Sequence, residues 1–108
     1  MENRLNALGQ PVGPPLPGWK PVPRPPRSAM EGRHCRVEPL DPARHAADLL
    51  EAFAEDREGR NFTYLGAGPF ADRAAIDAWI AATCLGDDPI FHAIVERATG
   101  RALGVAAF

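Results

Sequence analysis

Three histidines, two cysteines and a short run of carboxylates are the groups in this 108-residue sequence whose chemistry invites a functional reading. His34 stands beside Cys35, and together they offer the donor types of half a zinc site. Adjacent residues of a strand point to opposite faces, so the two make a poor chelate and no metal site is expected. Cys35 and Cys84 are the only thiols, and neither belongs to a CxxC pair, so there is no disulfide framework and no redox motif to read. His92 lies between Ile90 and Ile94 on one face of a β-rich run, where it is either a candidate base or, the commoner case, a partly buried structural residue. His45, early in a predicted helix, reads as solvated. Glu55, Asp56 and Glu58 could attract a cationic amine, or could simply solvate the end of an exposed helix. No Ser-His-Asp or Cys-His constellation assembles from these groups, and no catalytic residue is assigned.

These residues must be positioned by a small number of elements. Arg33 to Leu40 alternates as a strand, with Cys35, Val37 and Pro39 on one face. Asp41-Pro42 supplies a carboxylate N-cap followed by proline at the first helical position. The spacing predicts a helix from there to about Arg57, with Ala46, Leu49, Leu50 and Phe53 as its apolar stripe and Gly59 ending it. An aromatic, glycine-containing loop covers residues 60–71. Asp72 caps a second helix that stops before Gly86, its core stripe being Ile76, Trp79, Ile80 and Thr83. Ile90 to Val95 and Arg101 to Phe108 read as a hairpin turning at Gly100, which suits a left-handed turn position. The predicted order is β-α-α-β-β, an α+β fold of the α/β sandwich type.

Eight of the 12 prolines fall within the first 26 residues, a density that opposes both helix and sheet. Residues 1–28 are therefore expected to be a Pro-rich extended arm in polyproline II conformation, and residues 29–108 the folded part. Leu16 and Trp19 are expected to anchor the arm to the domain. Its PxxP spacings are the weak signature of a ligand for an aromatic groove. The arm and its junction, residues 1–36, carry a net charge of +4, and residues 37–108 carry −6. This asymmetry is more simply satisfied within the chain than by nucleic acid, because no dense basic run exists. No apolar run approaches the length of a membrane span and no signal-peptide core is present, so a cytoplasmic setting without membrane attachment is expected. Eleven arginines against one lysine, with nineteen alanines, suggest a bacterial genome of high GC content.

Phe108 closes the sequence inside a strand pattern whose face carries Leu103, Val105 and Ala107. An open apolar edge strand needs a partner. The expectation is that further strands lie beyond this C-terminus or on another chain, and a homodimer through the open edge is one way to cover it.

The order strand, helix, helix, hairpin, with Glu96-x-x-Thr99-Gly100-x-x-Leu103-Gly104 at the turn, resembles the first half of the GNAT N-acetyltransferase superfamily. Arg36-Val37-Glu38-Pro39-Leu40-Asp41 looks like that family's first strand and its junction with the helix. Phe62-Thr63-Tyr64-Leu65 followed by Gly68-Pro69-Phe70 is similar to the inter-helix loop of the branch of ribosomal-protein N-acetyltransferases. Asn6-Ala7-Leu8-Gly9-Gln10-Pro11-Val12-Gly13 looks like the opening of some bacterial members. The resemblance implies a partial GNAT-like fold and transfer of an acetyl group from acetyl-CoA to an amine, either a small molecule or a protein N-terminus. It also implies that the two helices and their loop form the acceptor side, with Asn61, Phe62, Tyr64 and Leu65 lining the acceptor pocket. A satellite core beneath the loop would account for the aromatics equally well. The family's glycine-containing pyrophosphate loop has no counterpart here, so no residue of this chain is expected to bind the cofactor. The alternative is a non-catalytic interaction module that uses the Pro-rich arm and the open edge strand.

Overall fold

Two carboxylates start the two helices. Asp41 is extended (φ −124°, ψ 113°) and its side chain accepts from the Ala43 amide, with Pro42 opening the helix. Asp72 likewise accepts from the Ala75 amide at 2.8 Å. The computed structural model describes residues 4–108, and the first three residues of the arm lie outside the described residues. Its strands are β1 (Arg4–Leu5), β2 (Pro11–Val12), β3 (Met30–Glu31), β4 (Cys35–Pro39), β5 (Phe91–Glu96) and β6 (Ala102–Ala107). The helices are α1 (Pro42–Ala54) and α2 (Arg73–Trp79), with a 3-10 turn at Arg60–Phe62 and a π-helical turn at Ile80–Cys84. Strands β3-β4-β5-β6 form one antiparallel sheet in that order. Both helices cover one face of it, and the core between them holds Leu40, Ala46, Leu49, Ile76, Ile80, Cys84, Ala93 and Ala102. Each large aliphatic side chain buried there contributes about 1.5–3 kcal/mol.

Helix α1 ends at Ala54, three residues earlier than its pattern predicts. The Asp56 carboxylate accepts from the amides of Arg60 (3.1 Å) and Asn61 (2.9 Å), capping the next turn instead of continuing the helix. Gly59 then turns the chain at φ +68°.

The stripe of the second helix also changes. Ile76 and Ile80 are buried as predicted, but Thr83 is exposed and Cys84 takes its place in the core. The π-helical turn widens the last turn, so a four-residue step keeps Ile76, Ile80 and Cys84 in line.

Strand β6 departs from simple alternation as well. A bulge at Ile94/Val95 sets Val95 opposite Ala102, which turns Ala102 into the core and leaves Leu103 half exposed. Gly100 adopts φ +72° at the hairpin turn, the position assigned to it. Among the described residues no strand pairs with the outer edge of β6.

The arm is not free of sheet, contrary to what its prolines suggest. Strands β1 and β2 pair as a small antiparallel hairpin, Leu5 opposite Pro11. Local turn chemistry outweighs proline here, because the Asn6 side-chain oxygen accepts from the amides of Leu8 (2.9 Å) and Gln10 (3.0 Å) while Gly9 takes φ +78°. Leu16 and Trp19 do not anchor the arm, being 72% and 67% exposed. Arginines hold it instead. Arg27 pairs with Asp87 at 2.7 Å and donates to the carbonyls of Leu85 and Gly86, and Arg24 reaches Asp88 at 3.6 Å. Beyond the arm, β3 adds an edge pair that strand periodicity did not predict, Met30 opposite Val37.

Candidate functional site

The aromatic loop and the helices close over one another through ring contacts. Phe62, on the 3-10 turn, meets Phe53 of α1 edge-on at 5.5 Å and Phe70 at 5.8 Å. Phe70 lies 5.0 Å from Trp79 of α2, and Trp79 meets Phe91 of β5 edge-on at 5.9 Å. These separations are those of favourable aromatic pairs. Beside the cluster opens a cavity of about 630 Å³. It is bounded by the end of α1 (Ala52, Phe53, Glu55, Asp56), the loop (Asn61, Phe62, Leu65, Ala67), Trp79, and Leu103, Gly104 and Val105 of β6. The volume lies within the usual range for a small-molecule pocket.

Of the four residues proposed to line an acceptor pocket, Asn61, Phe62 and Leu65 come together here. Tyr64 does not: its side chain is 98% exposed and outside the lining. Glu55 and Asp56 stand at the cavity, whereas Glu58 pairs with Arg60 at 3.0 Å. The β6 residues are lining groups that sequence reasoning missed. Their only signal was the apolar face of an edge strand, which does not say what it faces.

Gly68 shapes this wall. Its φ is +65°, and a Cβ built there would overlap the Phe62 ring. Gly68→Ala is expected to cost about 2 kcal/mol, from left-handed strain plus overpacking. It should also push Phe62 into the cavity, read as a lower Tm together with a changed Trp79 fluorescence.

A second polar cluster lies where β4 meets α1. Glu38 is 4% exposed, yet it is charged and fully engaged. The Asp41 amide donates to His45 Nδ1 at 2.9 Å, which leaves the proton on Nε2 to donate to Glu38 Oε1 at 2.7 Å. Arg44 and Arg36 reach the same carboxylate, each at 3.1 Å. The His45 hydrogen bond holds the Glu38 carboxyl below its ordinary range, opposed by burial and assisted by the two arginines. His45 is therefore buried, not solvated as its place in the helix suggested. The contact crosses from strand to helix, and no periodicity within either element reveals it.

His92 is fully buried on the sheet face away from the helices, consistent with a structural role. One ring nitrogen lies 3.3 Å from the Ser28 carbonyl, and Nδ1 has no partner. Among the described residues, no three of His, Cys, Asp and Glu converge as metal ligands. Burial pushes the Cys84 thiol up to about 11. In thiol labelling at pH 8, half-buried Cys35 is expected to react promptly and Cys84 only as the protein opens. Equal rates in the folded protein would contradict this placement.

Among the described residues, neither helix N-terminus nor the glycine-containing loop suits a pyrophosphate. The N-termini of α1 and α2 are already capped by Asp41 and Asp72, whose negative charge opposes an anion. The Gly66–Pro69 loop has no basic residue, and Gly68 is packed on Phe62. Acetyl-CoA is therefore not assigned to any described residue.

An antiparallel sheet, two helices on one of its faces and an open aromatic cavity between helix ends and edge strand make up a mixed α/β fold. Solved structures share it. The crystal structure of a GCN5-related N-acetyltransferase from Brucella melitensis matches at 36% identity with a TM-score of 0.76, over 85% of this chain and 42% of that one. That of a probable acetyltransferase of the GNAT family from Chromobacterium violaceum matches at 32% identity with a TM-score of 0.70, over 91% of this chain and 48% of that one. No family model and no curated protein matches the chain. The chain belongs to the GNAT superfamily and spans less than half the length of either structure. Both relatives are described at the level of the superfamily, so the ribosomal-protein branch remains a resemblance.

Proposed function

We propose that this chain builds the acceptor side of an N-acetyltransferase, the part that receives an amine before acetyl passes to it from acetyl-CoA. The observation that carries this reading is the cavity. It brings aromatic rings, the carboxylates of Glu55 and Asp56, and the backbone of an edge strand to one place. Apolar walls strip water from an entering amine, and the carboxylates favour its charged form on arrival. No described residue is assigned to hold acetyl-CoA, and the unpaired edge of β6 is where another strand would dock. The cytoplasm is the proposed setting; the described residues include no helix long and apolar enough to cross a membrane.

Two measurements test this. Calorimetry of the 108-residue chain with acetyl-CoA is expected to show no micromolar binding, since both helix N-termini are blocked by carboxylates. The native reading frame, expressed through its own stop codon, should release free coenzyme A thiol from acetyl-CoA when given primary amines. No thiol release with any amine of a broad panel would sink the proposal.

A further inference from the structure

The end of α1 is electrostatically unsatisfied. The C-terminal end of a helix is its negative pole and normally draws basic side chains, but the last turn of α1 contains none. Instead Glu55 caps it and Asp56 follows. Around the seam between α1 and β6 stand Asp48, Glu51, Glu55 and Asp56, with Arg101 as the cation set against them. Arg101 is committed to Glu51 at 2.6 Å, and Asp48 accepts from the Ala102 amide at 3.1 Å. Asp56 spends both oxygens on the amides of Arg60 and Asn61. Glu55 has no side-chain partner among the described residues, and it lines the cavity together with Phe53, Phe62, Trp79 and Leu103.

We infer that the cavity selects a primary ammonium carried on an aromatic or branched aliphatic body, with Glu55 as the residue that determines specificity for the charge. The inference rests on the acceptor-side reading and narrows it to a substrate class. Three features converge on that class. Glu55 and the carbonyl end of α1 offer negative potential, and Arg101, the cation facing this cluster, is committed to Glu51. Aromatic rings beside it accept an organic cation on their faces, which a hydrated metal ion does not require. Apart from Asp56 and Asn61 the remaining wall is apolar, so the body attached to the ammonium must be largely apolar too. A small polyamine, charged at both ends, would leave one ammonium against that wall without a counter-charge.

The test uses the 108-residue chain, with the two indole N–H resonances followed by NMR. Trp79 lines the cavity, and Trp19 on the exposed arm serves as the internal control. Titration with 2-phenylethylammonium is expected to move the Trp79 signal in a saturable way and to leave Trp19 still. Two partial ligands, 2-phenylethanol without the charge and methylammonium without the body, should each bind about tenfold more weakly, the scale of one lost contact. Glu55→Gln sits on the surface and should not disturb folding. It is expected to weaken the ammonium to the level of the alcohol while leaving the alcohol unchanged. Equal binding of alcohol and ammonium, or no effect of Glu55→Gln, would overturn the inference.

Phenylalanyl-glycinamide presents the same ammonium as a peptide N-terminus. If it matches 2-phenylethylammonium, the natural source is a polypeptide; if it fails to bind, the source is a free amine, and either result supports the shared chemistry. Ammonium-selective binding without thiol release by the native gene product would leave this site standing and remove the transferase reading. Thiol release whose KM for amines is untouched by Glu55→Gln would do the opposite.

Discussion

His45→Ala is expected to lower the stability of the folded chain by about 3 kcal/mol at pH 7, the scale of breaking a buried, hydrogen-bonded pair. The variant removes three things together: the acceptor for the Asp41 amide, the shortest contact to Glu38, and the volume of a ring only 2% exposed. An orphaned buried donor alone costs about 1–3 kcal/mol. Arg36 and Arg44 remain on the carboxylate, but both are substantially exposed and replace little of what is lost.

The effect has a pH signature. Folding depresses the Glu38 pKa below its ordinary value of 4.5, so the group's stabilising contribution is complete above that value and disappears as pH falls through the depressed one. Without His45 the strongest lowering contact is gone while burial still raises the pKa. The gap between parent and variant should therefore be widest near neutrality and narrow in acid, as urea unfolding at several pH values would show. Adding Glu38→Gln to His45→Ala should recover part of the loss, because it removes a poorly paired buried charge. A double variant no more stable than the single one would refute this account of the cluster.

Ile80→Ala should be comparably severe, costing about 3 kcal/mol, since buried Ile→Ala changes combine lost transfer energy with a cavity. Ile80 is fully buried at the point where α2 passes into its π-helical turn, between Ile76 and Cys84. A chain of this size has roughly 5–10 kcal/mol of stability in all, so the variant would retain only part of it. Its neighbour Trp79 bridges Phe70 and Phe91 and lines the cavity. Loosening the helix at Ile80 is thus expected to shift Trp79 emission and to accelerate Cys84 labelling, since both share that turn. A variant that lost stability with Trp79 emission unchanged would mean the cavity wall is independent of the core beneath it.

How much of this was visible beforehand depended on range along the chain. Asp41-Pro42 and Asp72 announced their helices, and Gly100 its turn, because a cap or a turn is satisfied by amides two to four residues away. The same locality explains why the apolar stripe of α1 and the order of the five main elements followed from periodicity alone. It even explains two local surprises, the early end of α1 at the Asp56 cap and the β1–β2 hairpin, where the Asn6 side chain and Gly9 outweighed the prolines around them.

What crossed between elements was not legible. Glu38 and His45 carry no mark of meeting, and Glu55, Leu103 and Val105 share a wall only because α1 crosses β6. The exchange of Thr83 for Cys84 in the core depends on one widened helical turn, and that of Leu103 for Ala102 on one bulge. The sequence by itself determined where both helices begin and which face of α1 is apolar, since those are matters of short-range hydrogen bonding and period. Only the tertiary structure decided which polar groups are buried, which carboxylate at the end of α1 is left unpaired, and which side chains enclose the cavity. Those outcomes depend on the relative placement of surfaces distant in the chain, and no spacing along the chain encodes it.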